Sequence, residues 1–284
     1  MSHDPILSFE RHLVAQGKRP GTVERYASVL TRFLRDAGVP VEQVTADHAY
    51  DFLVERGNAL GVSSSWFNVI FHAVVAWLES RGLPTGLRGL RPKRVVLQPP
   101  RWLTADEARR LMAAVEERPY RVFFQVMLAT GLRVSEVIAL RVEDIDRERP
   151  LIRVVCGKGG AGRLVRCEPT LRALLRDYWR SFKPQGVFFQ RRPGLGRPDE
   201  PMLAATLNAA LQRAALKAGF TERMSSHRLR HTFAIHSLRG GMDVVQLSRL
   251  LGHRSLQSTL RYVTPDLDRP GTVVDVLKAL GVRP

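Results

Sequence analysis

Several side chains in the second half of this 284-residue sequence have types that can act together: Arg133, Lys158, His227, Arg230, His253 and Tyr262. Arg133 follows a glycine turn in ATGLRVSEVIAL, with Glu136 one helical turn along, and Lys158 lies in the turn of CGKGGAGR. His227 and Arg230 stand three apart in SSHRLRHTFAIH, which puts them on one helical face. His253 and Tyr262 bound GHRSLQSTLRY, where SLQSTLRY reads as a helix of about two turns with one of them at each end. Guanidiniums give planar, bidentate recognition of phosphate oxygens. Imidazoles move protons near neutral pH. A phenol is an oxygen nucleophile, but with an ordinary pKa of about 10 it needs cationic surroundings. The sequence offers no Asp/Glu cluster of the kind that holds Mg²⁺ and no GxxxxGK[ST] loop for ATP. A nucleophile and cations without a metal or nucleotide cofactor point to a covalent phosphotyrosine intermediate.

Each of these residues also has an ordinary structural reading. Arg133 can cap a helix or pair with Glu136, Lys158 can be a solvated turn lysine, and Tyr262 a half-buried surface aromatic. His227 and His231, at i and i+4, have metal-ligand spacing, but Arg228 stands where an HExxH site carries its general base. The two arginines between these histidines also repel a cation. Composition singles out Lys158: of 44 basic residues only six are lysine. Lysine can surrender a proton and arginine effectively cannot, so general acid is a natural role for it.

The elements that must position these groups are mostly helices. Apolar residues recur at helical spacing in DPILSFERHLVAQ, and PGTVERYASVLTRFLRDAG runs from Pro20 to a stop at Gly38. TADHAYDFLVERG and SSSWFNVIFHAVVAWLESRG complete a small four-helix domain over 1–85. Residues 86–101, rich in proline, glycine and arginine, show no period and read as a linker. A second domain, 102–284, opens with a helix at Thr104 and another at YRVFFQVMLAT. A hairpin of LIRVVC and RLVRC around GKGGAG comes next, then helices near 169–181, 201–218, 226–239, 243–251, 255–262 and 272–281. The fold class is mainly α with a small antiparallel β-sheet. The apolar stripe of Val273, Val274, Val276, Leu277 and Leu280 is too short to be stable as a free helix, and Pro270-Gly271 before it permits a swing. The tail at 271–284 is therefore expected to dock on a neighbouring subunit.

Net charge is +17, and it is uneven: residues 1–95 hold 12 basic and 9 acidic side chains, 96–284 hold 32 and 18. Such a charge calls for a polyanion, and nucleic acid is the leading partner. A membrane surface lacks its basic amphipathic helix or lipidation motif. No apolar run is long enough to span a bilayer and no signal peptide opens the chain, so a cytoplasmic location is expected. Cys156 and Cys167 lack zinc-ligand spacing and are expected as reduced thiols.

ATGLRVSEV, GKGGAGR, HRLRHTFA and LLGHRSLQSTLRY, in this order, resemble the motifs of the tyrosine recombinase (phage integrase) family, and the overall size is similar to its short Xer-like members. The resemblance covers essentially the whole chain. It implies an N-terminal SAM-like core-binding domain and a C-terminal catalytic domain that together clamp duplex DNA. It also implies Arg133, Lys158, His227, Arg230 and His253 as the catalytic pocket, with Tyr262 as nucleophile. The implied activity is site-specific recombination or integration of DNA through a 3′-phosphotyrosine, with no metal, ATP or other cofactor. The implied partners are a homo-tetramer on DNA, or a hetero-tetramer with a related recombinase, and an accessory protein. The sequence departs from the family where GKGxK would place a second lysine: Ala161 stands there. Other readings are a transposase of a mobile element, a type IB topoisomerase-like relaxing enzyme and a non-catalytic DNA-binding regulator.

Overall fold

The computed structural model describes residues 4–58, 61–94, 101–146, 148–155, 162–194, 197, 199–253, 255–260, 262–263 and 275–282. The chain divides into two compact units, Met1–Leu97 and Gln98–Pro284.

The first unit is built on α1 (Pro5–Ala15), α2 (Pro20–Ala37), α3 (Ala46–Asn58) and α4 (Ser64–Ser80). Pro20 opens α2 at a position where a missing backbone N–H costs nothing, and Gly38 closes it in the left-handed conformation. Ser63 caps α4 by accepting from the Trp66 N–H at 3.1 Å. The stripe Val23, Ala27, Leu30 of α2 turns inward, and Phe33 meets Trp77 edge-on at 5.5 Å. The stretch read as a linker from residue 86 begins as part of this unit. Leu87 is buried, and Asn68 exchanges two hydrogen bonds with the Lys93 backbone, at 2.7 and 2.8 Å. The apolar side chain of Leu87 gives this aperiodic stretch a place on the core, which composition alone does not show.

The second unit contains α5 (Ala105–Ala114), α6 (Arg118–Thr130), α7 (Val134–Ile138), β1 (Leu151–Val154), β2 (Arg163–Arg166), α8 (Pro169–Phe182), α9 (Ala204–Lys217), α10 (Ser226–Arg239), α11 (Val244–Leu251), α12 (Gln257–Leu260) and α13 (Val276–Leu280). Thr104, where the helix was expected to start, and Glu107 cap α5 reciprocally. Every residue of α6 from Val122 to Leu128 is buried, and α10 packs along it. β1 and β2 pair antiparallel, with Leu151 opposite Arg166 and Val154 opposite Arg163. Their turn, with Cys156, Lys158 and Ala161, lies outside the described residues. Cys167 is a free thiol whose pKa burial pushes up to about 11. Residues between α8 and α9 carry core that periodicity did not reveal: Phe188 and Phe189 pack tilted against Tyr178, with ring centroids at 5.3 and 5.2 Å.

Of the tail expected to dock on a neighbour, the structure describes residues 275–282. In this chain Val276, Leu277, Leu280 and Val282 are buried in their own unit, with α13 against α5, α6, α8 and α10. Asp275 caps α13 and accepts from the Thr170 hydroxyl at 2.7 Å. Val276, Leu277 and Leu280 of the apolar stripe pack on the surface beside them, and Val273 and Val274 lie outside the described residues. Among the described residues no helix is long and apolar enough to cross a membrane.

Candidate active site

Three turns converge on α10. The first joins α6 to α7 through Gly131, which has φ +65° and where an added Cβ would stand 2.4 Å from Phe233 of α10. Only glycine meets both demands, so this turn lies directly on α10 and delivers Arg133 beside it. The second turn follows α11 through Gly252, also left-handed, and carries His253. The third follows α12 and carries Tyr262.

Arg230, on α10, ties the first two turns together. Its side chain is buried, and its guanidinium donates to the Gly131 carbonyl and to the Leu251 carbonyl, each at 2.7 Å. Burial and the neighbouring Arg133 charge lower its pKa to about 10, with Glu136 and Tyr262 acting in the opposite direction. It stays cationic at neutral pH.

Glu136 gathers the surrounding cations. The Arg133 N–H and its side chain donate to it at 2.8 and 3.0 Å. Arg163, at the start of β2, approaches with two guanidinium nitrogens at 3.0 and 2.9 Å, and its Nε donates to the Leu250 carbonyl at 2.7 Å. Burial would raise the Glu136 carboxyl, but the hydrogen bonds from Arg163 and the Arg133 backbone, with both charges, hold it below its ordinary value. The carboxylate thus links the helix start that carries Arg133 to the hairpin whose turn holds Lys158.

His253 and Tyr262 do not sit at opposite ends of a two-turn helix. Among the described residues of this segment only Gln257–Leu260 is α-helical, and bonds from Thr259 to Leu256 and from Tyr262 to Thr259 tighten it to three-residue turns. The chain folds back, and the two rings lie nearly parallel with centroids 6.4 Å apart. His253 Nδ1 is 2.7 Å from the Thr259 hydroxyl. Tyr262 is 2% exposed, and its hydroxyl lies 2.8 Å from His231 Nδ1. His227, exposed one turn back on α10, has its ring centroid 6.4 Å from that of His231.

Five of the six residues singled out in the sequence, Arg133, His227, Arg230, His253 and Tyr262, therefore come together, and Lys158 lies outside the described residues. The sequence reading missed His231 as the phenol's partner, although its i+4 relation to His227 was visible. It also passed over Arg163, whose strand position gives no signal of a buried partner 27 residues away. Chemically, the cluster sets a phenol hydroxyl among imidazoles beside a buried cation.

A family model described as the phage integrase family matches residues 101–269. The chain belongs to the phage integrase family. Among curated relatives, tyrosine recombinase XerA of Thermococcus kodakarensis is 31% identical over 265 residues, covering 92% of this chain and 90% of that one. Tyrosine recombinase XerC of Xanthomonas axonopodis pv. citri is 30% identical, covering 85% and 81%. The fold of this family member is similar to that of a lambda integrase dimer bound to a COC′ core site, with a TM-score of 0.71 at 17% identity over 94% of this chain and 96% of that one. It is also similar to a XerA recombinase, at 0.53 and 23%, over 93% and 94%. The mainly helical architecture with one small antiparallel sheet is the family's.

Proposed function

We propose that this chain is a site-specific DNA recombinase that cleaves and rejoins strands through Tyr262. The observation that carries the reading is the placement of the Tyr262 hydroxyl on an imidazole, beside the buried Arg230 cation, in a cluster with Arg133, His227 and His253. Tyr262 attacks a scissile phosphate of duplex DNA and forms a 3′-phosphotyrosine, and the 5′-oxygen leaves with a proton from Lys158. Arg133 and Arg230 stabilise charge on the non-bridging oxygens. His227 and His253 hydrogen-bond to the same phosphate. A 5′-hydroxyl from a partner strand then reverses the step, so one phosphodiester replaces another and the bond energy is kept in the protein–DNA link.

The partner is double-stranded DNA, held by a protein of net charge +17. Relatives with the same fold include a lambda integrase tetramer bound to a Holliday junction and XerH bound to palindromic difH substrate. By likeness to the first of these, the working form is a tetramer on DNA; the sequence adds the expectation of a cytoplasmic location and of a related recombinase or an accessory protein as further members. In that form the tail at 271–284 docks on a neighbour. Tyr262→Phe tests the reading: DNA affinity measured by gel shift stays near wild type, and the detergent-resistant complex with nicked DNA disappears. A covalent complex that persists in the Phe protein would refute it.

A further inference from the structure

We propose that His231 is a catalytic residue of the strand-cleavage step, the group that takes the proton from Tyr262. This rests on Tyr262 being the nucleophile.

The geometry is direct. His231 Nδ1 lies 2.8 Å from the phenolic oxygen, within the distance a proton-transfer pair requires. In the imidazole tautomer with its hydrogen on Nε2, Nδ1 accepts the phenolic hydrogen. The two rings are held 5.4 Å apart between centroids, and Tyr262 is 2% exposed, so bulk water does not compete at that oxygen. The other groups nearby suit the task less. Arginine keeps its proton throughout the useful pH range. Glu136 is engaged by both nitrogens of Arg163 and by Arg133. His253 directs Nδ1 to Thr259, and His227 is exposed on the preceding turn of α10.

The helix explains the division of labour. Arg230 and His231 are adjacent on α10, so their side chains diverge by about 100° around the axis. Arg230 points to the two carbonyl-lined turns, and His231 points to the third turn, which carries Tyr262. One helix thereby sets both the cation and the base.

The step balances as follows. The phenolic O–H bond breaks as oxygen attacks phosphorus, and the proton passes to His231 Nδ1, leaving an imidazolium. The bond from phosphorus to the 5′-oxygen breaks, and that oxygen takes its proton from Lys158. In the return step the imidazolium gives its proton back to the departing phenolate.

The experiment compares two nucleophiles in each of two proteins. Full-length wild type and His231→Asn are prepared with tyrosine or with trifluorotyrosine at position 262, and covalent-complex formation on nicked duplex DNA is followed as a rate constant. The Asn amide oxygen can still accept from the phenol but cannot carry its proton away. The fluorinated phenol is acidic enough to ionise near neutral pH, so it needs no base. With tyrosine, His231→Asn is expected to slow cleavage by roughly 10²- to 10⁴-fold, the usual contribution of a general base. With trifluorotyrosine, the wild-type and Asn proteins are expected to agree within about tenfold. Rate constants rather than yields are read, so a reduced folded fraction alters amplitude only. An unchanged rate with tyrosine, or an equal defect with both nucleophiles, would overturn the proposal. Tyr262→Phe, run alongside, forms no complex if Tyr262 is the nucleophile; a complex there would instead sink the reading on which this one rests.

Discussion

Arg163 holds Glu136 with both ends of its guanidinium, at 3.0 and 2.9 Å, with each side chain only about a tenth exposed. Arg133 bonds the same carboxylate, and Arg230 approaches it at 3.9 Å. The carboxylate is the counter-charge that lets these cations crowd one corner of the unit.

Removing one partner from a buried pair costs about 3–5 kcal/mol, because the other charge stays behind. Glu136→Gln should therefore lower the unfolding free energy by an amount in that range and slow cleavage, since Arg133 loses its anchor. Arg163→Lys should restore little, because a point charge cannot make the fork. The pH dependence has a definite sign. The folded pKa of Glu136 is lowered, so its contribution is full above the unfolded value, about 4.3, and is lost as pH falls through the lower folded value. Denaturant titrations below about pH 5 should show a stability slope in wild type that Glu136→Gln partly removes.

Gly131→Ala should be damaging despite its single added carbon. The left-handed conformation costs a non-glycine residue about 1–2 kcal/mol, and the new Cβ would meet Phe233 at 2.4 Å. A drop in melting temperature accompanied by slower cleavage is expected, since relief of the clash moves Arg133 off α10. Normal cleavage at reduced stability would separate the turn from the chemistry.

Leu277→Ala examines the tail. A fully buried leucine at this site predicts a loss of about 2–5 kcal/mol in the isolated chain. If α13 served only a neighbouring subunit, unfolding of the isolated chain would be unaffected by the change.

Helix positions were legible because period and caps agree: TADE gives a reciprocal cap, and Gly38 and Gly252 end their helices where φ turns positive. The resemblance gathered the site residues in order, but contacts between them depend on tertiary packing. SLQSTLRY has helical composition, yet three-residue turns shorten it, and the ring of Tyr262 turns in toward His231. Arg163 and the pair Phe188–Phe189 lie in segments without a helical period, so nothing local marked them as buried.

Lys158 is expected to be the general acid for the leaving 5′-oxygen. Lys158→Arg should slow cleavage by roughly 10²- to 10⁴-fold. A 5′-bridging phosphorothioate leaves as a thiolate without protonation, and on that substrate the variant should match wild type. If the variant stays slow there, Lys158 orders the phosphate rather than supplying the proton.

The most direct test is to locate the DNA on the protein. Complexes trapped on nicked duplex DNA are digested with protease and nuclease, and the residue bearing the nucleotide phosphate is identified by mass spectrometry. The chain has five tyrosines. Tyr178, another of them, is fully buried among aromatic rings, and burial raises its pKa well above the usual range. The expected result is a single modified peptide with the phosphate on Tyr262, absent from the Tyr262→Phe protein. A phosphate on another residue, or a covalent complex that survives in the Phe protein, would contradict the assignment of Tyr262 as the nucleophile.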